Sequence, residues 1–176
     1  LIEPEGLVAD IKTGVSGAGR PPKENTTFCT VDEDTTAYGL LTHRHTPEIE
    51  QALADRTGAS PSVLFTPHLV PMNRGILATV YVKGDAKIVH QVLEKAYENE
   101  PFLNVLPFGS LPSTRDIAGS NFCHLGVIGD RRSGLAVVVA VLDNLTKGSS
   151  GQAIQNANLM LGLPETEGLM LAPVFP

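Results

Sequence analysis

The chain has 176 residues, of which 42% are hydrophobic and 18% charged, with a formal net charge of -6 and a mean hydropathy of +0.05. That is enough apolar chain for one domain with a real core, and it argues against disorder. The acidic balance, without any basic block, argues against nucleic-acid binding, and no apolar run approaches the ~20 residues that cross a bilayer.

The chain opens Leu1-Ile2-Glu3-Pro4, with no Met and no signal or transit composition, which reads as a fragment or excised domain. Residues 8–13 form the first strand-like run. Gly14-Val15-Ser16-Gly17-Ala18-Gly19-Arg20 follows it. Small residues there let backbone N–H groups approach a ligand and line an anion-binding nest, with Arg20 as a further anion contact. An ordinary glycine turn fits the same residues.

Thr42-His43-Arg44-His45-Thr46-Pro47-Glu48-Ile49-Glu50-Gln51 sets two imidazoles and a guanidinium directly before a helix start. Thr46 suits the N-cap and Pro47 the first helical position, where its missing N–H is not needed. Glu48 and Glu50 favour the positive end of the helix dipole. The helix is predicted over 47–56, closed by Gly58, with Ile49 and Leu53 toward a core. A helix entry of this kind can hold side chains still against an anion, although a surface loop with incidental histidines also fits. On a strand, His43 and His45 would share a face, but no carboxylate or cysteine partner is evident and no metal site is expected.

Residues 62–66 read as a strand running into a loop that carries His68 and Arg74, and 76–82 as another. Arg74 can bind a carboxylate or phosphate, or simply stand solvated. A helix is predicted over 86–99, with Ile88, Val89, Val92, Leu93 and Ala96 on its apolar face and His90 at the surface or half-buried. Residues 121–128 and 135–142 are two more strands. The turn chemistry of Gly129-Asp130-Arg131-Arg132-Ser133-Gly134 makes them an antiparallel hairpin, with His124 structural.

Asp143-Asn144-Leu145-Thr146-Lys147-Gly148-Ser149-Ser150-Gly151 then opens a helix over 150–161 whose inner residues are read as Ile154, Ala157, Asn158 and Leu161. Asn144, at the end of a strand beside a glycine-rich helix entry, is the ligand-facing candidate. A capped turn in which Asp143 or Asn144 binds local backbone is the alternative. Cys29 and Cys123 show no metal or CxxC spacing and read as free thiols in a reducing compartment, cytoplasmic or organelle-stromal. Strands without regular βαβ alternation predict an α+β fold: a mixed, largely antiparallel sheet with helices on one face. A Rossmann glycine fingerprint and a P-loop are both absent from the sequence.

Taken in order, Ser16-Gly17-Ala18-Gly19-Arg20, His43-Arg44-His45-Thr46-Pro47-Glu48-Ile49, Phe65-Thr66-Pro67-His68-Leu69-Val70-Pro71-Met72-Asn73-Arg74-Gly75, Asp143-Asn144-Leu145-Thr146-Lys147-Gly148 and the ending Gly168-Leu169 to Phe175-Pro176 resemble the N-acetyl-gamma-glutamyl-phosphate reductases, across essentially the whole chain. The resemblance implies an NADP-dependent reductase of an acyl phosphate, working through a cysteine thioester in arginine biosynthesis. Its fold would be like the C-terminal domain of glyceraldehyde-3-phosphate dehydrogenase, and the enzyme a dimer or tetramer. Residues 1–176 would then be one catalytic and dimerisation domain, without the Rossmann domain and inactive alone. The family's nucleophile lies in an Asn-Pro-Gly-Cys segment that this chain lacks, and neither Cys29 nor Cys123 has that setting. Carried over, His45 is the general base with His43 as runner-up, and Arg44 or Arg74 holds the anionic groups of the substrate. Ser16, Gly17, Ala18 and Gly19 border NADP, and Asn144 contacts its carboxamide. A scaffold module without activity, or the related reductase of a carrier-bound aminoadipyl phosphate, remains an alternative.

Overall fold

The computed structural model describes residues 6–21, 23–130 and 133–174. Leu1-Ile2-Glu3-Pro4, Arg131 and Arg132 of the expected hairpin turn, and the ending Phe175-Pro176 lie outside the described residues. In chain order the structure has β1 (Leu7–Thr13), α1 (Phe28–Val31), β2 (Thr36–Ala37), α2 (His45–Thr57), β3 (Val63–Leu69), β4 (Ile76–Lys83), α3 (Ala86–Tyr97), β5 (Leu103–Val105), β6 (Cys123–Gly129), β7 (Leu135–Leu142) and α4 (Gly151–Leu161).

The strands make one sheet in the order β2-β3-β1-β4-β7-β6-β5. Only β1 with β3 and β5 with β6 run parallel; the other neighbours are antiparallel, including the β6–β7 hairpin. This is the mixed α+β sheet the sequence pattern predicts. β7 lies between β4 and β6 and is covered on both faces, with Ala136 and Val141 fully buried, so its sequence is a continuous apolar run rather than an alternation. Pro67 lies inside β3 rather than in the loop expected from the sequence. Because β2 pairs only with Leu69 and His68, β3 is an edge strand for most of its length, where a proline is tolerated.

The helices α2 and α3 cover one face of the sheet. Ile49 and Leu53 of α2, and Ala86, Val89 and Leu93 of α3, pack on Leu7, Val63, Phe65, Val82, Val127 and Ala136. On the opposite face, the chain leaving β5 crosses β6. A Cβ on Gly126 would stand 2.3 Å from the Ser110 carbonyl oxygen, so only glycine lets that segment lie flat. The same face beneath β1, β3 and β4 is left half-covered, carrying Asp10, Lys12, Thr66, His68, Thr79 and Tyr81.

The helices differ from the sequence reading in rotation. On α3, Ile88, Val92 and Ala96 are exposed, while Val89 and His90 are buried. His90 is neither at the surface nor half-exposed, because its Nε2 sits 2.8 Å from the Leu106 carbonyl oxygen and its Nδ1 3.2 Å from Glu94. On α4 the buried face is Gly151, Gln155 and Asn158; of the expected inner residues, only Asn158 is inside, and Ile154, Ala157 and Leu161 are exposed. A polar network draws that face inward. Asn158 donates to the Glu165 and Glu167 carbonyls, and Gln155 accepts from Asn121 and Lys147.

Candidate active site

One register row crosses the sheet. Thr36 pairs with Leu69, Leu69 with Thr13, Thr13 with Ile76, and Ile76 with Leu142. Three of the motifs read from the sequence begin or end at this row. Gly14 follows Thr13, the 70–75 loop joins Leu69 to Ile76, and Asp143 follows Leu142.

The glycine run and the 70–75 loop are stitched backbone to backbone. Gly14 N–H donates to the Gly75 carbonyl, Val15 to Met72 and Ser16 to Asn73. A Cβ on Gly14 would lie 2.8 Å from the Cα and N of Arg74, so the fit requires a residue with no side chain. Gly17 and Gly19 donate their N–H groups back to Gly14 and Ser16 in a single 3-10 turn, Val15–Ala18. An open anion nest is therefore not what this segment forms, because those N–H groups are already engaged inside the protein. Ser16 is half-buried with its Oγ accepting from Asn144, and Gly17, Ala18 and Gly19 are exposed.

Asn144 joins the pieces. Its Oδ1 accepts from Gly75 N–H at 2.6 Å and its Nδ2 donates to Ser16 Oγ at 2.9 Å. Asp143 is fully buried, with Arg74 Nε 2.7 Å from its Oδ2, the N–H of Gly119 on the same oxygen, and those of Leu145 and Thr146 on Oδ1. Burial alone would raise this carboxyl's pKa; the Arg74 contact, the Gly119 and Leu145 N–H groups and the Arg74 charge outweigh it and hold the pKa below the usual value. The local cap that the sequence predicts at Asp143 is present in the Leu145 and Thr146 bonds; the Arg74 contact goes beyond it. A carboxylate directly after a run of eight apolar residues was the available signal of a buried charge in need of a partner.

The two histidines form a second cluster. α2 starts at His45, two residues before the expected first position, so Thr46 lies inside the helix and is not its N-cap. Arg44 is the N-cap residue and makes no side-chain cap bond, while the His43 ring, one residue earlier, engages the first helical N–H, its Nδ1 accepting from His45 N–H at 3.2 Å. The His43 ring lies 5.0 Å from that of Phe65 at a 45° tilt, with the rings of Tyr38 at 5.7 Å and His45 at 4.9 Å edge-on to it. Burial first, then His45 and Arg44, lower the His43 pKa and so favour its neutral form, in keeping with an Nδ1 that accepts the His45 N–H. His45 and Arg44 are exposed. Phe65 lies four residues, about 13 Å, down β3 from Leu69. The structure thus brings Ser16, Gly17, Arg74 and Asn144 together, and sets His43 and His45 apart on the neighbouring edge of the sheet.

Cys29 is exposed and Cys123 buried, and both are free. Among the described residues, no group of three or more His, Cys, Asp or Glu gathers as a metal site, and no helix is long and apolar enough to cross a membrane.

A family model for the semialdehyde dehydrogenase dimerisation domain matches residues 1–144. The N-acetyl-gamma-glutamyl-phosphate reductase of Cereibacter sphaeroides is 62% identical to this chain over 177 positions, covering 100% of this chain and 52% of that protein. The reductase of the same name from Paracoccus denitrificans is 58% identical with the same coverage. The chain spans about half the length of the curated relatives it matches. Among solved structures, a probable aspartate-semialdehyde dehydrogenase from Pseudomonas aeruginosa superposes with a TM-score of 0.69 at 15% identity, covering 89% of this chain and 55% of that one. Aspartate semialdehyde dehydrogenase II from Vibrio cholerae gives 0.65 at 21%, covering 88% and 55%, and both show a shared fold. With the family model matched over the whole sheet, the chain belongs to the semialdehyde dehydrogenase dimerisation-domain family.

Proposed function

We propose that this chain is the catalytic and dimerisation half of an NADP-dependent N-acetyl-gamma-glutamyl-phosphate reductase, with the nucleophilic cysteine and the dinucleotide fold supplied by the other half of the protein. The observation that carries this reading is the shared register row, from which Gly14–Gly19, the 70–75 loop and Asp143-Asn144 all project and interlock.

The residues have separable duties. His43 is committed to capping α2, whereas the exposed His45 ring, fixed at a helix start, is free to move a proton. His45 takes the proton of the nucleophile and returns one as the product leaves. Arg74, tethered at Nε, offers the outer edge of its guanidinium to an anionic substrate group, and Arg44 lies beside the histidines as a second cation. NADP, when bound, supplies or accepts the hydride. The residues present fit a border to its nicotinamide end rather than a cradle. Ser16, Gly17, Ala18 and Gly19 close one side, and Asn144 retains a single Nδ2 hydrogen beyond its bond to Ser16.

The half-covered sheet face around Thr79 and Tyr81 is the surface through which two copies associate, and two-fold dimers are the commonest assembly. The two unpaired thiols fit a cytoplasmic setting.

His45→Asn in the full-length protein tests this reading through NADPH formation from N-acetylglutamate semialdehyde and phosphate. The expected result is a kcat lower by ~10²–10⁴ with the fold kept, the usual size of general acid–base catalysis. An unchanged rate removes His45 from the mechanism.

A further inference from the structure

We propose that Asp143 is a positioning residue for substrate binding, which aims the Arg74 guanidinium at the anionic group of the substrate. The inference rests on the reductase reading above and extends it to a residue that does not itself touch substrate.

Three observations carry it. First, the charges are asymmetrically placed: the Asp143 side chain is 0% exposed and that of Arg74 38%. The carboxylate is sealed inside, and the guanidinium sits across the boundary with one edge inward and one outward. Second, the carboxylate is fixed independently of Arg74. The N–H groups of Gly119, Leu145 and Thr146 hold its two oxygens at 2.6, 2.9 and 3.2 Å, so Asp143 is a rigid anchor. Third, the backbone beneath Arg74 is fixed as well. Gly14 lies against Arg74 Cα, and Asn144 Oδ1 grips the N–H of Gly75. Adjacent residues of one turn therefore hold adjacent residues of the other, Asp143 the side chain of Arg74 and Asn144 the main chain of Gly75.

A guanidinium is planar and carries five N–H groups in a fixed fork. The 2.7 Å contact with Asp143 Oδ2 anchors the inner end of the guanidinium at Nε, which leaves the Nη groups as the part free to meet a substrate anion with less conformational freedom to lose. Arg74 Nε is buried, and its N–H is not aligned along the line to Asp143 Oδ2, so the contact is ionic and sets position rather than acting as a single straight hydrogen bond. A lysine could pair with Asp143 but would have no second row of donors to present outward.

The test uses the full-length protein in the reverse direction, varying N-acetylglutamate semialdehyde and inorganic phosphate separately. These two probes carry the candidate anions, a carboxylate on one and a phosphate on the other. Asp143→Asn is expected to raise KM for one of them by about 10- to 100-fold, the value of a charge-assisted hydrogen bond, while kcat and the KM of the other change less than about threefold. The probe that responds identifies the anion held by Arg74. Arg74→Lys keeps a cation beside the buried carboxylate and is the variant that decides the matter if Asp143→Asn does not fold. It is expected to show the same KM increase for the same probe. Wild-type KM values in Arg74→Lys, or in a folded Asp143→Asn protein, overturn the inference while leaving the reductase reading intact. Absence of activity in the unsubstituted full-length protein removes both.

Discussion

A methyl group at Gly14 would collide with the backbone of Arg74, whereas one at Gly17 would meet nothing closer than Thr13 Oγ1 at 3.4 Å. Gly14→Ala is therefore expected to lower stability by about 1–3 kcal/mol, the range for overpacking against main chain that cannot yield. Gly17→Ala is expected to be neutral or to stabilise by up to about 1 kcal/mol through the unfolded chain. Urea denaturation of both variants checks this, and equal losses would mean that the Gly14 contact does not constrain the loop. Both glycines were legible in the sequence as one flexible run, but their unequal roles were not, because the distinction depends on which one faces the 70–75 loop. The same limit applies to Asn144. Its position after a strand marked it as a polar group near a site, while its internal bonds to Gly75 and Ser16 link residues 69 and 128 positions apart and leave no trace in local sequence. Asp143 does cap the local Leu145 and Thr146 N–H groups, as the turn reading has it, whereas its contact with Arg74, remote in the chain, is not visible in local sequence.

Periodicity and capping made the helices legible as elements. α3 begins after Asp85, whose carboxylate accepts from the N–H groups of Lys87 and Ile88, and α2 ends at Gly58 in the left-handed conformation. Rotation about the helix axis was less legible. On α3 the apolar residues Ile88, Val89, Val92 and Leu93 cover two adjacent faces, and either set can be turned inward on pattern alone. The contact of His90 with Leu106 selects the face that carries Val89. Val89→Ala is accordingly expected to cost roughly 2 kcal/mol and Ile88→Lys less than about 0.5 kcal/mol. Thermal or urea unfolding distinguishes them, and the reverse order would place the wrong face of α3 against the sheet. On α4 a polar network reverses the usual pattern, burying Gln155 and Asn158 and leaving Leu159, Met160 and Leu161 outside. Hydrophobic periodicity does not anticipate amides that find carbonyl partners in a later turn. Strands β2 and β5, of two and three residues, were too short to carry a recognisable pattern.

Across the whole molecule, the register row accounts for why the glycine run, the 70–75 loop and Asp143-Asn144 meet, with the histidines on the adjoining edge. Parallel β1 and β3 end together, antiparallel β4 begins there, and β7 returns to the same row, so three segments distant in the chain share one end of the sheet. That convergence is a property of strand order, which motif spacing did not reveal. On the proposed half-site reading, His45 is the base, Arg44 and Arg74 hold anionic groups and Ser16 to Gly19 with Asn144 border the nicotinamide, while neither Cys29 nor Cys123 has the expected nucleophile setting. The most direct test follows NADPH formation from NADP, N-acetylglutamate semialdehyde and phosphate, comparing the full-length protein with the 176-residue chain alone. Activity confined to the full-length protein is the predicted result. Turnover by the 176-residue chain alone, or by neither protein, would contradict the account.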